Sequence, residues 1–339
     1  MIGVGIVGLG MALKPHALAL RDLTAAGRVR VVGGAAPSAE RRAAFTAAWG
    51  WPTFASVEAL LAAPGLDLVL ILTPPATHLP LGEAALAAGR HILVEKPVEW
   101  DAARATALAD GVRRAGRVGA VVFQHRFRPA ARRLKQVVAE GALGDLLSCS
   151  ANIRWWRDEA YFATPGRGMK ARDGGGVLLT QAIHTLDLLL HLAGPVAGVR
   201  GIARTSPLRA IDTEDMAAAA LRFTSGAVGA VDATTVARPG FPERIEIAGT
   251  RGSAVLVAER LDLHIAGQAP EVIDHGSAGG GGADPMAFDH GPHRAMILEV
   301  LDAIEAGRAP SNDIATGLPV QRLIEAWLRA SDSGREEAP

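Results

Sequence analysis

Ile92-Leu93-Val94-Glu95-Lys96-Pro97 decides how the rest of the chain is read. Three apolar residues, partly β-branched, suit a buried strand, and an acid, a base and a proline end the run. Proline cannot donate to a ladder and turns Lys96 away from helical geometry. In an open α/β sheet, ligands bind beyond the carboxyl ends of the strands. A lysine at such an end is therefore a candidate for chemistry, its charge tuned by loss of solvent. Taken alone, the hexapeptide reads equally well as a solvated ion pair at a strand end, so the flanking pattern has to separate the two.

Upstream, Ile2-Gly3-Val4-Gly5-Ile6-Val7 is a short buried strand, followed by Gly8-Leu9-Gly10 and a helical stretch to residues 20–23. Strand, glycine turn and helix form the layout that receives a dinucleotide pyrophosphate. Glycines admit the backbone closely, and the helix N-terminus favours negative charge. Leu13 stands where a third glycine is usual. A second strand, 29–34, runs into Ala35-Ala36-Pro37-Ser38, with no carboxylate to hold a ribose 2′-hydroxyl. Ser38 offers a hydrogen bond and Arg41 and Arg42 bring positive charge, which favours NADP over NAD. A helix (57–63), a strand (66–72), the loop Thr73-Pro74-Pro75-Ala76-Thr77-His78 and a helix (79–88) lead to the Lys96 strand. A helix (100–115) and a strand (118–123) ending in Gln124-His125-Arg126-Phe127 follow. The β–α alternation implies a parallel sheet wrapped by helices, with three polar loops on one rim.

After Pro129 the pattern changes. A helix (129–140) and a strand (146–156) precede a polar, glycine-rich segment, 157–172. It carries Arg157, Tyr161, Phe162, Arg167, Lys170 and Arg172, and it reads as a substrate-side loop. Asp173-Gly174-Gly175-Gly176 opens a helix expected to run to about residue 191, in which Thr180, His184 and Asp187 share one face. Histidine is the usual proton carrier near neutral pH; the plain alternative is a packed ring bonding a carbonyl. No metal is expected, because His184, Asp187 and His191 on one helix lack the further ligands that close a site. From Gly194-Pro195 onward, five segments (196–205, 215–223, 227–236, 243–249 and 252–257) with short turns imply antiparallel pairing. Two helices, 293–306 and 316–330, close the chain, with a frayed tail expected from Ser331.

At 339 residues and 49% hydrophobic, the chain is too long for most single cores. Two domains are expected, 1–123 and 124–339. Its zero formal net charge argues against nucleic acid or an anionic membrane as partner. The single cysteine, Cys149, permits no internal disulfide and fits a reducing cytoplasm. No apolar run reads as long enough to cross a bilayer, and no basic segment precedes the first strand, so no signal peptide is expected. The glycine-rich stretch 276–282 reads as a loop.

Five motifs in order carry a resemblance: Gly8-x-Gly10 with His16, Thr73-Pro74-x-x-x-His78, Glu95-Lys96-Pro97, Arg126-Phe127-x-Pro129, and Gly174-Gly175-Gly176 with His184-x-x-Asp187. Over nearly its full length the chain resembles the Gfo/Idh/MocA family, the glucose–fructose oxidoreductase and inositol dehydrogenase group. The resemblance implies an α/β protein with an N-terminal Rossmann domain and a C-terminal α+β domain holding a large, mostly antiparallel sheet. In the family that sheet commonly packs against another subunit, which implies a homodimer or homotetramer. It further implies an NAD(P)-dependent oxidoreductase acting on sugars, cyclitols or related polyols, and a cis bond before Pro97.

In such an enzyme His184 is the expected general acid/base. Lys96 is the expected ammonium that stabilises the reacting oxygen and helps keep His184 neutral. Gly8, Gly10, Thr73, Pro74, His78 and Glu95 are expected at the cofactor, as are Ser38, Arg41, Lys96, Pro97 and Gln124. Arg126, Trp156, Arg157, Tyr161, Arg167, Lys170 and Arg172 are expected at the substrate, together with Lys96, Thr180, Gln181 and His184. So many bases hint at a carboxylate- or phosphate-bearing substrate. The family's catalytic helix usually carries an acid where Thr180 stands, and Gln181 is expected to take over part of its hydrogen bonding. The competing readings are a non-catalytic dinucleotide-binding sensor and an aldehyde or imine reductase on the same scaffold.

Overall fold

Six strands form a wholly parallel sheet: β1 (Ile2–Val7), β2 (Val29–Ala35), β3 (Thr53–Phe54), β4 (Leu68–Ile71), β5 (His91–Val94) and β6 (Gly119–Val121). Their order, β3-β2-β1-β4-β5-β6, reverses direction between β1 and β4, the switch point where dinucleotide folds bind their ligand. Every residue of β1 and β4 is buried, as expected of a parallel sheet covered on both faces. The structure is a computed structural model that describes residues 1–276 and 289–339; from residue 277 on, the glycine-rich stretch lies outside the described residues.

This first unit comprises Met1–Phe123 together with His290–Leu318. Residues 290–318, expected in the second domain, thus belong with the first. Their helix, Gly291–Ala306, packs on helix Leu13–Ala25. Arg28 bonds Asp302 at 2.7 Å, and His290 lies 2.8 Å from Asp22. Asn312 covers the β6 edge: its Nδ2 donates to the Val121 carbonyl at 2.8 Å, and its own carbonyl accepts the Val121 N–H at 3.0 Å. A buried strand edge needs such partners. Sequence periodicity cannot report a partner nearly two hundred residues away.

The second unit, Gln124–Asp289 with Pro319–Pro339, is built on eight strands. They are β7 (Leu146–Arg154), β8 (Val196–Arg204), β9 (Met216–Phe223), β10 (Val228–Thr234), β11 (Arg244–Gly249), β12 (Gly252–Val257), β13 (Arg260–Ile265) and β14 (Glu271–Asp274). The order is β14-β13-β12-β11-β7-β10-β9-β8, antiparallel throughout except for β7 with β10. Strands β13 and β14 extend the sheet beyond the five segments foreseen. Alternation is clean in β9, where Ala217, Ala219, Leu221 and Phe223 are buried and Ala218, Ala220 and Arg222 face out. Helices Pro129–Ala139 and Ile183–Ala193 pack on the inner face. Trp327 of helix Leu318–Ser333 is fully buried over Gly201, where a Cβ would come within 2.4 Å of its ring nitrogen.

Three expectations need correction. The tail is not frayed: Val199 and Glu337 exchange both backbone hydrogen bonds at 2.9 Å, and Glu336 pairs with Arg222 at 2.5 Å. The stretch Lys170–Ala193 is long and apolar enough to cross a membrane by composition, yet 83% of its most apolar window is buried inside the protein, so it is a core element. Nor is it one regular helix. Lys170–Asp173 forms a single turn, and Leu178–Ala182 is a wide π turn before the regular helix Ile183–Ala193. The wide turn breaks the i, i+4 spacing that would align Thr180 with His184.

Candidate active site

Gly8 follows β1 with φ +100, and a Cβ there would lie 2.9 Å from the Leu72 carbonyl group at the end of β4. Only glycine fits so close a crossing of backbones. At Gly10 a Cβ would meet nothing within 4 Å. Helix Leu13–Ala25 begins with no side-chain cap and no acid in its first turn. The combination leaves backbone N–H groups and the positive end of the helix dipole for a phosphate, so the residues present fit a dinucleotide.

At the end of β2, Ala36 is buried and brings no carboxylate. Ser38 caps helix Ala39–Trp49, its Oγ accepting the Arg41 N–H at 3.2 Å. Arg42 donates Nη1 to the carbonyls of Ala36 and Pro37, both at 2.7 Å. Arg41 is exposed.

The loops after β4 and β5 are tied together by His78. It is fully buried, with Nε2 2.8 Å from the Thr73 carbonyl and Nδ1 3.0 and 3.2 Å from those of Pro97 and Val98. With no surface left, it organises the loops rather than lining a cofactor. The Thr73 and Thr77 hydroxyls are 2.6 Å apart. Glu99, which sequence reading missed, is also fully buried. It accepts the N–H groups of Leu79 at 3.0 Å and Trp100 at 2.9 Å and pairs with Arg104 at 2.8 Å, capping helix His78–Ala87 from a distance. Burial would raise its carboxyl, but Arg104 and the two amides hold it below its ordinary value.

Lys96 follows β5, and the Lys96–Pro97 bond is cis. Glu95 beside it accepts the Lys96 N–H at 3.0 Å and contacts His16 Nε2 at 2.8 Å. His16 is fully buried and meets His293 edge-on, with ring centroids 5.0 Å apart. Burial pushes the Glu95 carboxyl up, but His16, with Lys96 and His293, more than offsets this and holds it at about 2.

In the second unit, Arg126 and Asp187 form a buried two-pronged ion pair, with Nε to Oδ2 at 2.7 Å and Nη2 to Oδ1 at 2.5 Å. Arg126, expected at the substrate, pairs here with Asp187, which keeps its i, i+3 place beside His184 on the regular helix. Burial first, then Arg126 and Lys135, push His191 down to about 3. The Thr180 hydroxyl lies within bonding distance of the Gly176 carbonyl (2.7 Å) and of Gln181 Oε1. Gln181 Nε2 donates to Tyr161 Oη at 2.9 Å, which also accepts from Arg167 at 3.1 Å. Thr180, Gln181, Tyr161 and Arg167 are thus one chain of contacts. The guanidinium groups of Arg238 and Arg209 lie 4.3 and 5.5 Å from the centroid of the Trp156 ring, and Arg157 is buried over Trp155. Arg172 folds back onto the Pro165 carbonyl, and Lys170 is exposed.

Glu214, also unforeseen, caps the start of the histidine segment. Its carboxylate accepts from Gly176 and Leu178, each at 3.1 Å, and its carbonyl accepts from Val177 at 2.7 Å. A Cβ at Gly176 would fall 1.9 Å from that carbonyl oxygen, which accounts for the glycine. Burial raises the Glu214 carboxyl, and the two amides oppose it. His184 is 9% exposed and stacks on His125, with ring centroids 4.9 Å apart at 25°. Gln124 is buried, and its Oε1 has no hydrogen-bond partner among the described residues, as an acceptor kept for a ligand would be.

A switch-point glycine turn, an uncapped helix and a lysine one strand beyond β4 define a dinucleotide-dependent oxidoreductase of the α/β class. Residues 2–123 match the family described as oxidoreductase family, NAD-binding Rossmann fold, and residues 131–255 match the GFO/IDH/MocA C-terminal domain. The chain belongs to the GFO/IDH/MocA oxidoreductase family. It is similar to levoglucosan dehydrogenase of Pseudarthrobacter phenanthrenivorans, 29% identical with 97% of this chain and 96% of the relative covered. It is also similar to inositol 2-dehydrogenase of Rhizobium meliloti, 27% identical with 98% and 97% covered. Among solved structures, levoglucosan dehydrogenase in complex with NADH and levoglucosan aligns with TM-score 0.89 at 26% identity, covering 100% and 99% of the two chains. The WlbA dehydrogenase from Bordetella pertussis in complex with NADH and UDP-GlcNAcA aligns with TM-score 0.86 at 27% identity, covering 100% and 98%.

Proposed function

We propose that this oxidoreductase oxidises or reduces a carbinol/carbonyl carbon of a sugar, cyclitol or related polyol. The observation that carries the reading is the shared rim of the parallel sheet. The glycine turn after β1, the Thr73 loop after β4 and Lys96 after β5 follow adjacent strands, so one ligand crevice serves all three. Names of the similar proteins, which include sugar and inositol dehydrogenases, support the substrate class. Bound nicotinamide would supply the hydride acceptor or donor. Gly8, Gly10, Thr73 and Pro74 would hold the dinucleotide, and Gln124 would accept a hydrogen bond from it. Lys96, as an ammonium, would stabilise negative charge on the reacting oxygen. His184 would take the hydroxyl proton in oxidation and return it in reduction.

The finer cofactor preference is for NADP, resting on Ala36 in place of a carboxylate and on Ser38 and Arg41 beside it; tighter binding of NADH than NADPH in a titration overturns it. A homodimer or homotetramer through the outer face of the large sheet is supported by the small and apolar residues it leaves exposed, Ile202, Ala218, Ala220 and Val228. Cytoplasmic residence is supported by the lone Cys149, whose thiol burial pushes up to about 11. The deciding experiment is a cofactor-reduction screen over polyols, aldoses and uronates with NAD and NADP. Turnover of a carbohydrate alcohol is expected. Tight dinucleotide binding with no turnover on any class is the result of a sensor, and ends the enzymatic reading.

A further inference from the structure

His184 does not stand alone on its helix. Its ring is stacked on His125, both are buried, and Arg128 Nη2 lies 2.9 Å from His125 Nε2. A guanidinium can only donate, so that nitrogen must accept through its lone pair, and the His125 proton sits on Nδ1. Protonating His125 at Nε2 would require breaking the bond to Arg128. Arg128 itself cannot swing away freely, because Nη1 bonds Glu243 at 2.5 Å and Nε pairs with Glu259 at 3.1 Å. One arginine, anchored by two carboxylates, thereby fixes the tautomer of a histidine stacked on the candidate base.

We propose that Arg128, acting through His125, is a positioning residue for His184: it keeps the neighbouring ring neutral, so that the stacked pair takes up one proton and takes it up on His184. The inference rests on the reading of His184 as proton carrier. Two stacked imidazoles left to themselves would share protons, and the first to charge would oppose the second. With His125 locked neutral, its ring is an uncharged wall that orients His184 without competing for the proton that arrives from the substrate hydroxyl.

The other charges on the elements packed around the pair make contacts of their own among the described residues. On the 124–127 turn, Arg126 is paired with Asp187 of the histidine helix. On helix Pro129–Ala139, Lys135 donates to the His191 carbonyl at 2.6 Å, Arg133 pairs with Glu271, and the Arg132 guanidinium lies over the Phe127 ring. The π turn Leu178–Ala182 carries no charged residue. On β7, Arg154 pairs with Asp232 on the outer face, and on β11 Arg244 pairs with Glu246 there. Arg128, held by its two glutamates, is thus bonded directly to one ring of the stack, His125.

The test is a nitrogen-15 histidine NMR titration of the full-length protein from pH 5 to 9, which needs no substrate. In the wild type, His125 should keep the Nδ1–H pattern throughout while His184 titrates. In Arg128→Met, His125 should lose the fixed Nδ1–H pattern and begin to titrate, and two coupled steps shared by the stacked rings should replace the single His184 midpoint, as expected of two ionisable groups about 5 Å apart. Arg128→Lys, which keeps the donor, should restore most of the wild-type pattern. His125→Phe provides a ring that cannot charge, and should leave the His184 midpoint near the wild-type value even if Arg128→Met fails to fold. Titration of His125 in the wild type, or a His184 midpoint displaced by a full pH unit in His125→Phe, overturns the proposal. Loss of the catalytic reading is read separately, as full turnover in His184→Ala.

Discussion

The Glu95 carboxylate bonds His16 through one oxygen and the backbone N–H of Lys96 through the other. The lysine proposed to face the reacting oxygen is thereby anchored at its main chain by a carboxylate that a buried histidine holds in place. Because the carboxyl falls from 4.5 to about 2 on folding, its contribution to stability is complete above the unfolded value. It is lost as pH drops from about 5 through about 2, and amounts to about 3 kcal/mol. Urea unfolding as a function of pH should show this loss in the wild type and a flatter curve over the same range in Glu95→Gln. Parallel curves for the two proteins would sink the assignment.

Arg126 and Asp187 should behave as a buried ion pair. Arg126→Met leaves an uncompensated carboxylate and should lower stability by about 3–5 kcal/mol, whereas Arg126→Met with Asp187→Leu should recover most of it. If Arg126→Met instead folds normally and raises only the KM for substrate, the arginine belongs to the substrate after all.

Turnover should separate the two proposed catalytic groups once the screen yields a substrate. His184→Ala should reduce kcat by about 10²–10⁴, and Lys96→Met by about 10²–10³, with dinucleotide binding little changed in His184→Ala. Near-normal kcat in either variant removes that residue from the mechanism.

Glu99 caps a helix it does not belong to. Glu99→Ala should cost about 1–2 kcal/mol, the range of a lost N-cap. Arg104→Ala should cost less, since that side chain is 35% exposed. Equal losses in thermal unfolding would mean that the ion pair, rather than the cap, carries the effect.

Much of the first unit is legible because its signals are local. Gly8-x-Gly10 after its strand and the strand ending at Lys96 are each short contiguous stretches, and period and punctuation suffice to find them. The second unit hides more. Arg126 and Asp187 are 61 residues apart, and Arg128 and Glu243 are 115 apart, so charge pairing across the fold turned an apparent substrate arginine into a strut. The π turn also escaped, since no residue type marks it, and with it went the single stripe of Thr180, His184 and Asp187. His125 and Arg128 stood in view beside a recognised motif, but their meaning depends on which ring nitrogen faces which neighbour. Spacing carries no such information. A buried acid near a helix start, such as Glu214 or Glu99, is visible only once the helix has a position in space.

The return of residues 290–318 to the first unit bears on how the protein is made. When residue 123 leaves the ribosome, the partner of Val121 and the ring packed against His16 have not yet been synthesised. The nucleotide-binding half therefore waits, with an open edge, through the translation of nearly all the rest of the chain. A fragment ending at 123 lacks the piece that closes it.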